Sequence, residues 1–288
     1  MAYSKPMKNL NFPLTLALLT LPSLALAQTV VSGVGANAAA LTATRDQFRT
    51  NLGGGTVVGA NGSFGGLRRE INWDGVPAGF SAPNNLPANF FNVNSPRGAV
   101  FSTSGTGFQV SSATTDAGAG QPAAANFGNI NATYTGNFQT FSAQRLFTSL
   151  GSNVYDVDFF VPGTGTPALV SGFGSIFTDV DLTNSTTIQY FDKNNVSLGT
   201  FSAPVQDLGL SFIGVSFASP TIARVRITQG NIALGAGVND GGGNDVVAAD
   251  DFLYSEPVSA SAPEPGTLAF LAFGGTLIIA RRRRVAAP

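Results

Sequence analysis

Val154–Val161 reads VYDVDFFV. In an extended chain Tyr155, Val157, Phe159 and Val161 point one way and Asp156 and Asp158 the other, because strand side chains alternate with a period of two. One apolar face and one charged face describe a strand at the surface of a core. Ile222–Thr228, IARVRIT, repeats the pattern, with Ala223, Val225 and Ile227 alternating with Arg224 and Arg226. Between these stretches TTIQYFD (186–192) and VSLGTFSA (196–203) flank Lys193-Asn194-Asn195. Asparagine tolerates the left-handed conformation a tight turn needs, so this reads as a hairpin. GLSFIGVSF (209–217) and DVVAADDFLY (245–254) complete a run of strands with turn signals about every ten residues, the spacing of a β-sandwich.

Upstream, Ala36–Leu52 is helix-compatible, with Leu41, Arg45 and Phe48 on one face and a stop at Gly53-Gly54-Gly55. The expected fold is therefore all-β: an antiparallel sandwich over residues 28–258 with one N-terminal helix. Residues 75–128, rich in Pro, Asn, Ala and Ser, read as long loops or a partly separate lobe around the strand-like GAVFSTSGTGFQVS (98–111). Gly172-Phe173-Gly174 reads as a turn, and like Gly53–Gly55 it lacks the Lys-Ser/Thr of a phosphate loop. The strand order from VDFF to DDFLY resembles the second half of a jelly roll of the galactose-binding-like or carbohydrate-binding-module kind. That resemblance implies a fold and leaves function open.

The two ends of the chain read differently. Lys5 and Lys8 precede an apolar run from Phe12 to Leu26, and Ala25-Leu26-Ala27 forms a small-x-small site. This is the layout of a signal peptide over 1–27, cleaved after Ala27; an uncleaved N-terminal anchor is the alternative. The other end is SAPEPGTLAFLAFGGTLIIARRRR (261–284). Thr267–Ala280 would make a helix of about 21 Å against a hydrocarbon layer of about 30 Å. A single short membrane helix is the reading, with Arg281, Arg282, Arg283 and Arg284 holding its end in the cytoplasm. Pro263-Glu264-Pro265, then a short apolar helix, then an arginine cluster, resembles the PEP-CTERM sorting signal of Gram-negative bacteria, here over 262–285. The resemblance implies an exosortase as partner, transient tethering at the inner membrane, removal of the tail, and delivery to the cell surface or the extracellular matrix, where exopolysaccharide is a candidate partner. A permanent tail anchor is the alternative.

Composition restricts the chemistry. The chain has no Cys and no His, so disulfides, Ser-His-Asp triads and imidazole zinc sites are excluded. With the two lysines of the first segment, the four tail arginines and Glu264 set aside, nine basic and fifteen acidic groups remain in the body. An acidic body argues against nucleic acid as a partner. An enzyme would have to work with carboxylates, and glycoside hydrolysis needs two of them about 5 to 9 Å apart. Arg68–Gly75, RREINWDG, supplies the best candidates: Glu70 and Asp74, with Trp73 to stack on a sugar face. The competing reading pairs Glu70 with Arg68 or Arg69 and buries Trp73, the one tryptophan.

Asp156/Asp158 and Asp179/Asp181 form two D-V-D triplets. Like charges so close must be solvated, paired with arginine or bridged by a cation. Calcium prefers six to eight oxygen ligands and needs neither thiol nor imidazole. Asn239–Asp251, NDGGGNDVVAADD, sets Asn239, Asp240 and Asp245 around three glycines and ends in Asp250 and Asp251, making it the expected calcium loop. In the sandwiches it resembles, calcium sits near the end of the last strand, which corresponds to Asp250 or Asp251. The alternative is an ordinary polar turn. Arg224 and Arg226 could hold sugar hydroxyls or simply face solvent. The functional expectation is a non-enzymatic cell-surface or matrix protein, with polysaccharide as its candidate ligand and calcium as its candidate stabilising ion. A carboxylate glycosidase or polysaccharide lyase and a ligand-free structural protein are the alternatives.

Overall fold

A computed structural model describes residues 27–54, 67–116 and 122–260. Ala25, Pro263 to Pro265, Arg281 to Arg284 and both expected membrane-directed segments lie outside the described residues. Among the described residues no helix is long and apolar enough to cross a membrane.

The strands are β1 (Gln28–Gly35), β2 (Arg68–Ile71), β3 (Ala99–Thr103), β4 (Gly107–Val110), β5 (Phe147–Leu150), β6 (Val154–Phe159) and β7 (Ala168–Leu169). They continue with β8 (Gly172–Val180), β9 (Thr187–Phe191), β10 (Ser197–Ser202), β11 (Gln206–Phe217), β12 (Arg224–Thr228), β13 (Ala248–Ser255) and β14 (Val258–Ser259). The helices are α1 (Ala38–Asn51) and the single turns α2 (Phe90–Val93) and α3 (Tyr134–Asn137). A seven-stranded sheet runs β1-β11-β8-β13-β5-β4, with β2 also on β13; a five-stranded sheet runs β10-β9-β12-β6-β3; β7 and β14 form a small ribbon. Every pairing is antiparallel. The expected antiparallel β-sandwich is what the chain forms.

The five-stranded sheet follows the alternation closely. Tyr155, Val157 and Phe159 of β6 and Val225 and Ile227 of β12 are buried in the main core, while Asp156 and Arg226 stand opposite each other on the outer face. The β9–β10 hairpin turns through Asn195 at φ 62°. Asp192 Oδ1 accepts the Asn194 and Val196 N–H groups at 2.8 Å each, closing the turn.

The seven-stranded sheet is covered on both faces. Its inner face meets the other sheet through Phe147, Phe173, Phe177, Phe252 and Tyr254. Its outer face carries α1, whose Leu41 and Phe48 pack on Ile176, Leu210, Phe212 and Leu253. The helix starts at Asn37, whose side chain accepts the Ala40 N–H at 3.1 Å, an N-cap. It ends before Gly53, at φ 105°.

Gly172-Phe173-Gly174 is not a turn. It opens β8, and Gly174 lies beside Gly214 of β11 under the Phe48 ring. A Cβ on Gly174 would come within 2.9 Å of that ring and one on Gly214 within 2.8 Å, so glycine here permits helix and sheet to approach closely. Described parts of 75–128 also join the sandwich. β3 pairs with β6, β4 pairs with β5, and Phe90, Phe91, Phe101 and Phe108 join the main core. β1, which pairs with β11 along its whole length, was not anticipated from its short alternation.

Trp73 sits at the centre of the aromatic core. Its ring stacks on Phe147 at 4.2 Å with 5° between planes, meets Phe91 and Phe252 edge-on, and its Nε1–H donates to the Asp250 carbonyl at 2.6 Å. Trp73→Ala should cost about 3–5 kcal/mol of stability, the range for aromatic truncation in a core. Urea unfolding followed by circular dichroism measures it, and a loss under about 1 kcal/mol would contradict this packing.

Candidate functional site

Between α1, β2, β13 and the segment at Phe141-Ser142 lies a cavity of about 560 Å³ lined by Arg45, Arg49, Glu70, Asn72, Phe141 and Asp251, among others. Its charged wall follows from strand alternation. β2 pairs with the second half of β13, placing Arg68 opposite Ser255 and Glu70 opposite Leu253. Arg68 and Glu70 therefore face α1, and Arg69 faces away, where its guanidinium donates to Glu256 at 2.6 and 2.9 Å.

Glu70 accepts a bidentate pair from Arg49 at 2.7 and 2.5 Å and a third bond from Arg68 Nε at 2.8 Å. Burial opposes ionisation of Glu70, yet the hydrogen bonds and charges of Arg49 and Arg68 outweigh it and hold its pKa below the usual carboxylate range. The register of β13 against β8 shifts between Ala249 and Phe252, a β-bulge. It brings both adjacent aspartates, Asp250 and Asp251, toward the α1 side. Asp250 accepts the Phe141 N–H at 2.5 Å and the Ser142 hydroxyl at 3.1 Å. Asp251 lines the cavity, and its Oδ1 is buried without a partner. Burial, reinforced for Asp250 by the charge of Asp251 and for Asp251 by that of Glu70, raises both pKa values.

Of the expected ligand residues, Glu70 lines the cavity while Trp73 does not. Trp73 is 1% exposed, so neither face of its indole is open to a sugar ring. Asp74 lies apart from Glu70, accepting the Arg145 N–H at 3.2 Å and an Asn72 amide bond at 3.1 Å. The acid that shares the cavity with Glu70 is Asp251, which the sequence did not link to it.

The expected calcium loop is divided between several tasks. Asp245 is fully buried and accepts from the Asp181 and Leu182 N–H groups at 3.2 and 3.1 Å and from the Ser185 hydroxyl. Asn239 accepts an amide bond from Asn131 at 2.9 Å. Asp250 and Asp251 serve the cavity just described. Asp240 alone of the five joins a group of three acids. With Asp179 and Asp181 it offers carboxylate oxygens all within 4.8 Å of one another. Arg224 and Arg226 are held on the outer face of the five-stranded sheet by Asp156, Arg226 at 2.7 and 2.9 Å and Arg224 at 3.3 Å. Arg224 also lies over Phe191 at 4.4 Å.

No protein-family model, curated protein or solved structure matches this chain.

Asp74 gives a pH signature. Burial pushes its pKa up to about 6, opposed by bonds from Ser142 and the Arg145 backbone. The unfolded group titrates near 3.8, so between these values the folded state binds more protons and stability falls as pH rises. Below both values the penalty is absent. Asp74→Asn should therefore gain stability relative to the parent as pH goes from 4 to 7. Urea midpoints across that range test it, and parallel profiles for the two proteins would contradict it.

Proposed function

We propose that this chain is an exported, non-enzymatic protein of the cell surface or extracellular matrix. Its body is a jelly roll that binds polysaccharide, and an exosortase removes its PEP-containing tail. The observation that carries this reading is the ordered tail, Pro263-Glu264-Pro265, Thr267–Ala280 and Arg281–Arg284, opposite a basic, apolar, Ala-x-Ala start. The strand order supports the jelly roll: β11-β8-β13-β5 in one sheet and β10-β9-β12-β6 in the other, so that the chain passes back and forth between them. Polysaccharide fits a cavity whose rim alternates guanidinium, amide, hydroxyl and carboxylate groups with the Phe141 ring, since sugars present hydroxyls around apolar ring faces.

Protein recovered from the medium of an exporting host should have lost the tail, with an intact mass excluding Arg281–Arg284. It should also be retarded in gels containing that host's exopolysaccharide. A retained arginine cluster would end the sorting reading, and unretarded migration would end the glycan-binding one.

A second reading, a carboxylate glycosidase or lyase, is favoured by one observation: Glu70 and Asp251 share a cavity with pKa values pushed in opposite directions. Such a split is how paired carboxylates divide into acid and base. On this reading Glu70→Gln and Asp251→Asn each abolish release of reducing sugar ends from exopolysaccharide. Undiminished release from either folded variant would exclude it.

A further inference from the structure

The two D-V-D triplets have the same sequence and opposite surroundings. Asp156 in the first is neutralised by Arg224 and Arg226. Among the described residues no ion pair reaches Asp179 or Asp181 in the second, and the charges acting on Asp179 are those of Asp240, Asp207 and Asp245. Asp179 is fully buried. One of its oxygens accepts the Leu208 N–H at 2.9 Å, while its Oδ2 is buried with no partner. Asp181 Oδ1 is likewise buried and unpartnered. Unpaired carboxylate oxygens removed from water are costly unless something compensates them.

We propose that Asp179, Asp181 and Asp240 bind a calcium ion that ties the end of β8 to the loop between β12 and β13. The three oxygens come from two stretches of chain, the end of β8 and the loop before β13, and lie within 4.8 Å of one another, a spread compatible with ligands about 2.3–2.6 Å from a common ion. The donor set is all oxygen, which selects a hard cation over zinc or copper. Calcium fits better than magnesium because it accepts irregular coordination completed by water, whereas magnesium demands near-octahedral geometry at about 2.0–2.1 Å. Asp240 is only loosely held by protein, by the Val246 N–H and the Asn137 amide at 3.4 Å each, so it is free to turn toward an ion. The site is distinct from the cavity beside Glu70 and independent of the glycan reading. Asp245, which holds the Asp181 and Leu182 N–H groups, positions the turn around it.

Calorimetric titration of the full-length chain with calcium chloride tests this, together with thermal unfolding in calcium and in chelator. One ion should bind per chain, raising the unfolding midpoint by about 5–10 °C at a hundredfold excess over Kd. Asp179→Asn and Asp181→Asn should each weaken binding at least about tenfold, while Asp158→Asn, in the other triplet, leaves it unchanged. In chelator Asp181→Asn should unfold no lower than the parent, because it removes a repelled charge; a merely structural role would lower the midpoint. Hydrogen exchange on the parent localises the ion without any variant, and calcium should slow exchange around Asp179–Leu182 and Asp240–Val246. Absence of binding at millimolar calcium overturns the proposal, as does protection confined to Asp250 and Asp251. An equal response to magnesium overturns the assignment to calcium.

Discussion

Burial of the seven-stranded sheet on both faces is the constraint from which the other features follow. β8 and β13 are buried at every position, one face against the second sheet and the other against α1 or the loops around Tyr134. Any polar side chain on these strands or on β2 has to find its partner inside the protein, because water does not reach it. Arg68 and Glu70 do so on one face of β2, with Arg49, and Arg69 does so on the other, with Glu256. Such pairs contribute little net stability compared with an apolar core. Removing one partner would be expensive, typically about 3–5 kcal/mol, because a buried charge is left behind.

The same constraint makes the cavity. α1 must lie close to the sheet, which Gly174 and Gly214 allow, and its last turn then carries Arg49 over Glu70. The bulge in β13 turns Asp250 and Asp251 to that side as well. Asp250 is used internally, as an acceptor for Phe141 and Ser142, and it orders the segment that forms the far wall. Asp251 is left lining the cavity, with its Oδ1 buried and unpartnered. The environment thus pushes two carboxyl groups of one polar recess in opposite directions, Glu70 down and Asp251 up. Binding of hydroxyl-rich ligands and acid–base chemistry would both begin from such a pair, which is why the two functional readings share a location.

How much of this was legible depends on which face of each strand meets water. The five-stranded sheet could be read because its outer face is solvated: VYDVDFFV and IARVRIT alternate, and the Asn-rich hairpin marks its own turn. The seven-stranded sheet was legible only in part: GLSFIGVSF and DVVAADDFLY read as strands, but a strand buried on both sides loses its alternation. Gly172-Phe173-Gly174 therefore read as a turn, although it opens β8. Trp73 and Glu70 are three residues apart in an eight-residue motif, yet Glu70 lies in β2 facing the cavity, while Trp73, just past the strand at a left-handed φ of 66°, turns into the core. That Glu70 and Asp251 share a cavity was illegible because it depends on the pairing of β2 with β13, far apart in sequence, and on a bulge, neither of which leaves a local mark.

The D-V-D triplets carry that point into the chemistry. Locally they are indistinguishable, and what separates them is the strand next door. β6 lies beside β12, whose outward positions are arginines, whereas Asp179 ends a strand beside β11 and contacts the backbone at Leu208. The arginines of the described body other than Arg97, which meets Ser95 and the Phe91 ring, are engaged with Asp46, Glu70, Glu256, Asp116 and Asp156. Its excess of negative charge is consequently concentrated, with Asp179, Asp181, Asp207, Asp240 and Asp245 near one another at the end of β8. A folded chain can hold such a cluster by keeping protons on it, as the rise of the Asp179 pKa to about 7 and of the Asp181 pKa to about 8 reflects, or by holding a cation. The charge pattern of the whole body, more than any motif in it, gathers acids without arginine partners at the end of β8, which is why the proposed ion is placed there.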